Sequence, residues 1–270
     1  MGVTIVVVTL AVLAGVVGFA VSATQTVALD PTGPIERHPR LRRFLRQRFD
    51  RDTRRGFVLT TAFAIVLGVA LVLGLLLDMI DDGSGLAELD DDVAEWGSTH
   101  ATSTAVDVLE LITTLGGTPV VMAALATTAV VAYRRHHDVE IPLLLAAVGI
   151  GQLVLVNLLK VVVDRPRPDV MQLVHASGPS FPSGHSCAAA ACWAAVAFVF
   201  GHDVGRTGRA VLAAVAVVIA VSVAASRALL GVHWLTDVLG GLALGWGWFA
   251  LVVLAFRTRE RTVSARPAAR

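Results

Sequence analysis

The chain has 270 residues, 55% of them hydrophobic and only 16% charged, where soluble domains carry roughly 25% charge. The charge is clustered and leaves long stretches with none, so the bilayer is the expected solvent for the fold rather than a water-excluding core. A net charge of +1 gives no general attraction to nucleic acid, and no nucleic-acid partner is expected.

Apolar runs fall at 3–23, 57–77, 119–133, 141–163, 184–201, 210–230 and 235–256. Alanine, valine and leucine dominate them, without the alternation of barrel strands. Backbone groups in lipid must be satisfied within their own segment, which predicts helices and an all-α, polytopic membrane helix bundle. The first run is expected to be an extra N-terminal transmembrane helix whose N-terminus lies outside. Its alternative is a secretory signal ending at Val21-Ser22-Ala23, although residues 1–10 lack the positive n-region of such signals.

Arginine placement sets the expected orientation. Nine arginines from Arg37 to Arg55 crowd between the first two runs. Arg134, Arg135, Arg206, Arg209 and the tail from Arg257 to Arg270 fall on the same side, which the positive-inside rule makes the cytoplasm. Residues 40–49 read as a topology anchor or as a stretch lying on the anionic inner leaflet. The loop after the second apolar run is acidic, from Asp78 to Glu95. Within it Leu86, Leu89, Val93 and Trp96 recur at helical spacing, so 86–116 holds either two short amphipathic helices on the outer face or a solvated loop. The loops 164–183 and 231–234 then face outward. Cys187 and Cys192, five apart in one run, read as small packing residues.

Three clusters interrupt the apolar pattern. Lys160 is the only lysine of the chain; it ends an apolar run and precedes Asp164-Arg165-Pro166-Arg167-Pro168-Asp169. Histidine apart, every other basic residue is arginine, so a lysine here points to function more than to snorkelling. Next comes Phe181-Pro182-Ser183-Gly184-His185-Ser186, directly before an apolar run. Ser183 is a good N-cap, the helix start behind it offers free N–H groups to an anion, and Gly184 permits close approach. His185 falls in the first turn. Last come Ser226-Arg227, His233 and Asp237. His233 and Asp237 are four apart, which on a helix gives them one face and lets the carboxylate hold the imidazole tautomer. By the expected topology all three clusters emerge on the outer face at helix ends. Lys160, Arg167 and Arg227, an anion-binding helix start and two histidines are what phosphoryl transfer requires. Ionisable residues at a membrane edge are costly, so their gathering marks a functional site.

Lys160 to Pro168 fits K-x6-R-P, Pro182 to His185 fits P-S-G-H, and Ser226 to Asp237 fits S-R-x5-H-x3-D. The chain thereby resembles the type 2 phosphatidic acid phosphatase (PAP2) superfamily, which also includes vanadium haloperoxidases. The resemblance implies a six-helix membrane core. It implies His233 as nucleophile through a phosphohistidine, Asp237 orienting it, and His185 as general acid. Lys160, Arg167 and Arg227 would bind phosphate oxygens, with Ser183 and Gly184 adding hydrogen bonds. No cofactor or metal is implied; Asp90-Asp91-Asp92 is expected to be a solvated acidic loop rather than a cation site. Arg165 duplicates the Arg-Pro pair two residues early and would assist or substitute for Arg167.

The expected organisation is 1–56 as anchor helix and basic cytoplasmic loop, 57–256 as phosphatase membrane domain, and 257–270 as basic tail. The expected activity is hydrolysis of a lipid phosphate monoester or pyrophosphate at the extracytoplasmic face of a bacterial cell membrane. Phosphatidic acid, phosphatidylglycerol phosphate and a polyprenyl pyrophosphate all fit, with the outward site favouring an undecaprenyl-type pyrophosphate. The alternatives are a lipid phosphotransferase on the same histidine, a vanadate-dependent haloperoxidase, or a non-catalytic lipid-binding or transport protein. Oligomeric state is not legible.

Overall fold

The computed structural model describes residues 51–170 and 172–263. The 3–23 run, residues 40–49 and the end of the basic tail lie outside them. Among the described residues there are eight α-helices, one 3-10 turn at Gly85–Ala87 and no strand. In chain order the helices are α1 (Arg51–Asp82), α2 (Glu88–His100), α3 (Ser103–Thr114), α4 (Thr118–His136), α5 (Glu140–Val163), α6 (Gly184–Gly201), α7 (Arg206–Leu229) and α8 (Leu235–Val263).

Five of these, α1, α5, α6, α7 and α8, are long and apolar enough to cross a membrane. A sixth span is made if α3 and α4, bent by 43° at a short break, count as one. The predicted run at 119–133 thus grows into a 19-residue helix, about 28 Å at 1.5 Å per residue. Pro119 sits in its first turn, where a missing N–H costs nothing, and Arg134, Arg135 and His136 lie at its negative end.

The side-chain arrangement is that of a helix bundle in lipid. Large apolar residues point outward from α1, α5 and α7, among them Phe63, Leu71, Ile150, Val161 and Val218. Small ones fill the interior. Helix α6 packs against α4, α5, α7 and α8, and buries Cys187, Ala188, Ala189, Ala190, Ala191, Cys192 and Ala195. Both cysteines are free thiols in this core, as packing residues would be. Lipid gains nothing from burying a leucine, so close backbone approach at small residues drives such packing. Gly241 and Gly245 of α8 show how close: a Cβ there would stand 2.5 Å from the Ser183 carbonyl oxygen and 2.4 Å from that of Cys187.

Residues 86–116 do form two short helices, α2 and α3, both packed against α7. The inward face of α2 differs from the expected one. Asp90, Ala94 and Gly97 are buried, whereas Leu86, Leu89 and Trp96 are exposed. Gly97 decides this, because a Cβ there would meet the carbonyl oxygen of Leu229 at 2.4 Å. The small-residue face docks with Val93 half-buried beside it, and Leu86, Leu89 and Trp96 are left outside.

Candidate active site

Four helix ends meet at one end of the bundle. Lys160 lies in the last turn of α5, Arg227 in the last turn of α7, His185 in the first turn of α6 and Asp237 in the first turn of α8. Alternating helix direction brings these ends together although they are up to 77 residues apart in the chain (160 to 237).

After α5 the chain reverses at Asp164, which takes the left-handed conformation (φ 45°) that Asp tolerates better than most residues. The loop that follows folds back over the helix ends. Ser180 ties it down, its N–H donating to the Arg165 carbonyl at 2.8 Å and its hydroxyl to that of Pro166 at 2.9 Å. The Lys160 ammonium donates to the Pro179 carbonyl. Arg167 donates to the carbonyls of Ser177 (3.0 Å), Gly178 (2.9 Å) and Val232, and its Nη1 lies 3.3 Å from His233 Nε2. Burial lowers the pKa of this guanidinium, partly countered by Asp237.

His233 stands just before α8 rather than on it, so its meeting with Asp237 comes from a turn and not from a shared helix face. Its Nδ1 is 3.4 Å from Asp237 Oδ2. Asp237 is wholly buried and also accepts the Trp234 N–H at 3.0 Å, the reach-back of a capping box. A carboxylate only accepts and a guanidinium only donates. The ring between them therefore carries its proton on Nδ1 and its lone pair on Nε2. Burial lowers the His233 pKa to about 4 against the opposing hydrogen bond from Asp237, which leaves the ring neutral at pH 7. A neutral imidazole with its Nε2 lone pair facing a cation has the chemistry of a nucleophile toward an anion placed there.

Arg227, 6% exposed, donates from Nη1 to the Thr113 hydroxyl at 3.3 Å, while its buried Nε has no protein partner. A buried guanidinium donor left unpaired is expensive, and a bound anion would satisfy it. His185 is within electrostatic reach of Arg227, His233, Lys160 and Arg167. Gly116 and Gly117 leave room beside it; a Cβ on Gly116 would stand 2.7 Å from the His185 carbonyl oxygen. Ser183 is the predicted N-cap of α6, its Oγ accepting from the Ser186 N–H at 3.5 Å and the Ser186 hydroxyl at 2.9 Å. A Cβ on Gly184 would make only ordinary contact with Val156, at 3.6 Å.

Two acidic and basic side chains stand elsewhere than expected. Arg165 does not join Arg167 beside His233 Nε2. Its Nη1 donates to Asp237 Oδ1 and to the Thr236 hydroxyl, both at 2.7 Å, and its Nη2 to Asp90 Oδ2 at 2.8 Å. Asp90 is not part of a solvated acidic loop, being 3% exposed. It also accepts the Thr236 N–H at 2.9 Å and the Thr236 hydroxyl at 2.6 Å, capping α8 from a different helix. The sequence signal for this was the i, i+4, i+7 spacing of Asp90, Ala94 and Gly97, a face too small to stand out by hydrophobicity.

Residues 141–261 match the model of the PAP2 superfamily. Phosphatidylglycerophosphatase B of Bacillus subtilis (strain 168) is 44% identical over 98 residues, covering 36% of this chain and 48% of its own. Lipid A 1-phosphatase of Rhizobium etli is 37% identical over 108 residues, covering 36% of this chain and 42% of its own. The chain spans about half the length of the curated relatives it matches. A crystal structure of a transmembrane PAP2 type phosphatidylglycerolphosphate phosphatase from Bacillus subtilis shares the fold, with a TM-score of 0.65 at 27% identity over 75% of this chain and 98% of that one. The stretch that matches the PAP2 superfamily model, residues 141–261, is the one that holds Lys160, Arg167, Ser183, Gly184, His185, Arg227, His233 and Asp237.

Proposed function

We propose that this protein is an integral membrane lipid phosphatase that cleaves a lipid phosphate monoester or pyrophosphate through a phosphohistidine on His233. The observation that carries the reading is the neutral His233 ring, whose Nε2 faces Arg167 while the buried Nε of Arg227 lacks a partner. A phosphoryl group placed among Lys160, Arg167 and Arg227 has its oxygens neutralised and its phosphorus in front of Nε2. Ser183 and Gly184 add hydrogen bonds from the start of α6. Nε2 attacks, the bond from phosphorus to the lipid oxygen breaks, and His185 gives that oxygen its proton. Water then attacks the phosphohistidine, His185 takes the proton back, and inorganic phosphate leaves.

The arginine distribution supports placing this site on the extracytoplasmic face of a bacterial membrane, with 57–256 as the phosphatase domain between the 1–56 anchor segment and the 257–270 tail. The named activity of the 44% identical relative favours phosphatidylglycerol phosphate as first substrate to try, ahead of phosphatidic acid and a polyprenyl pyrophosphate. The test is phosphate release from these three lipids by the detergent-solubilised protein with EDTA present, beside His233→Ala. Release by the native chain and none by the variant is expected. Undiminished release by His233→Ala removes the proposed nucleophile, and lipid turnover without free phosphate turns the enzyme into a phosphotransferase.

A further inference from the structure

Asp237 has more to do than orient a ring. It is a fully buried carboxylate with three separate donors: His233 Nδ1 and the Trp234 N–H on Oδ2, and Arg165 on Oδ1. Arg165 is the nearest full positive charge, and a guanidinium paired with Asp237 alone would cancel the field that the carboxylate exerts on His233. It is not paired with Asp237 alone. Its second nitrogen belongs to Asp90, and the Thr236 hydroxyl accepts from Arg165 while donating to Asp90. Its guanidinium also stacks over the Trp234 ring at 5.3 Å, which leaves it little freedom to turn.

We infer that Asp90 is a positioning residue for the nucleophile: through Arg165 and Thr236 it fixes the Asp237 carboxylate and keeps its negative charge effective at His233. The inference rests on the phosphohistidine reading above and adds a group from outside the 141–261 stretch. Charge counting supplies the reason. Asp90, Arg165 and Asp237 together carry one negative charge. Attack by Nε2 leaves the Nδ1-protonated ring with one positive charge, so the buried set becomes neutral as the phosphohistidine forms. Among the described residues, the other charged or titratable groups that act on the ring are cationic or neutral: Arg167 from the loop, His185 from α6 and Arg227 from α7. Without Asp90 the set beneath the ring would be neutral before attack and positive after it, in a site where such charges are poorly screened.

Asp90 also acts on geometry. By accepting the Thr236 N–H it anchors the first turn of α8, the turn from which Asp237 projects. The α2 helix is held in place for this by Gly97 against the end of α7. Asp90 touches neither ring nor phosphate position, and its influence on the reaction is transmitted.

The test compares phosphate release by the full-length protein in detergent for the native chain, Asp90→Asn, Arg165→Gln, the double variant and His233→Ala. Asp90→Asn is expected to lower kcat by on the order of tenfold to a hundredfold, the range of a slightly misplaced reacting group, with KM little changed. The double variant restores the single negative charge of the native set and is expected to recover part of the kcat lost in Asp90→Asn. A purely structural Asp90 would make the double variant at least as poor as the product of the two single losses. That outcome, or native kcat in Asp90→Asn, overturns the inference. Should Asp90→Asn fail to fold, Asp90→Glu, which keeps the charge but shifts the carboxylate, must lower kcat at unchanged KM, and native kcat there is equally fatal. Activity in His233→Ala sinks the nucleophile reading instead, so the two failures are distinguishable.

Discussion

The backbone N–H of Ser183 donates to the backbone carbonyl of Asp237 at 3.0 Å, joining the residue that caps α6 to the residue that faces the proposed nucleophile. No side chain takes part in this bond, yet it sets the distance between the start of α6 and the imidazole. The bond needs α6 and α8 to approach more closely than ordinary side chains allow, and Gly241 permits it.

Gly241→Ala should therefore separate the two helix starts. Its Cβ would fall 2.5 Å from the Ser183 carbonyl oxygen, a backbone atom that cannot swing aside. Overpacking of this kind costs roughly 1–3 kcal/mol. Thermal unfolding in detergent should show the loss, and phosphate release should fall with it. Gly184→Ala, which meets only Val156 at 3.6 Å, serves as the sterically mild comparison.

Arg227→Lys keeps the charge but removes the planar fork and the unpartnered Nε. Losing one donor aimed at developing charge lowers turnover by about a hundredfold to a thousandfold. Steady-state kinetics should show kcat/KM falling on that scale. A variant with native kcat/KM would mean that Arg227 Nε does not meet the phosphate.

The pH dependence follows from His233, whose folded pKa is lowered to about 4 from 6.5. The ring stays unprotonated down to about pH 4, so the acid limb that it contributes to kcat/KM should lie near that pH rather than near 6.5. Stability follows the same sign. As pH falls below 6.5 the unfolded chain takes up this proton while the folded chain does not, so the contribution of His233 to stability declines between pH 6.5 and about 4. An acid limb near 6.5, read from a pH series of phosphate release, would show a solvated ring.

His185→Ala should be selective for the leaving group. A general acid contributes about a hundredfold to ten-thousandfold when the departing oxygen is a poor leaving group. A lipid alkyl phosphate should lose turnover on that scale, whereas an aryl phosphate with an acidic phenol should lose far less. Equal losses on both substrates, measured side by side, would assign His185 to binding rather than to proton transfer.

Much of this molecule was readable before any coordinates. A spanning helix must satisfy its backbone internally and present some 20 apolar residues, so the spans at 57–77, 141–163, 184–201, 210–230 and 235–256 follow from one-dimensional pattern. The cationic and imidazole residues at their ends were equally visible, because charge next to lipid is rare enough to stand out. Arg165 and Asp90 were hidden by the same logic. Arg165 lies beside Arg167 in a repeated Arg-Pro, and only the left-handed turn at Asp164 and the loop folded back behind it decide which guanidinium faces Asp237. Asp90 lies in a run of acids whose spacing gives each the same claim to solvent. Gly97 against Leu229 and the open N–H of Thr236 select it, and both belong to contacts between helices far apart in the chain. Hydrophobic pattern and charge are properties of the chain alone, so the sequence determined the helices and the chemistry at their ends. The choice among neighbouring like charges depends on helix packing across the bundle, and only the tertiary structure made it.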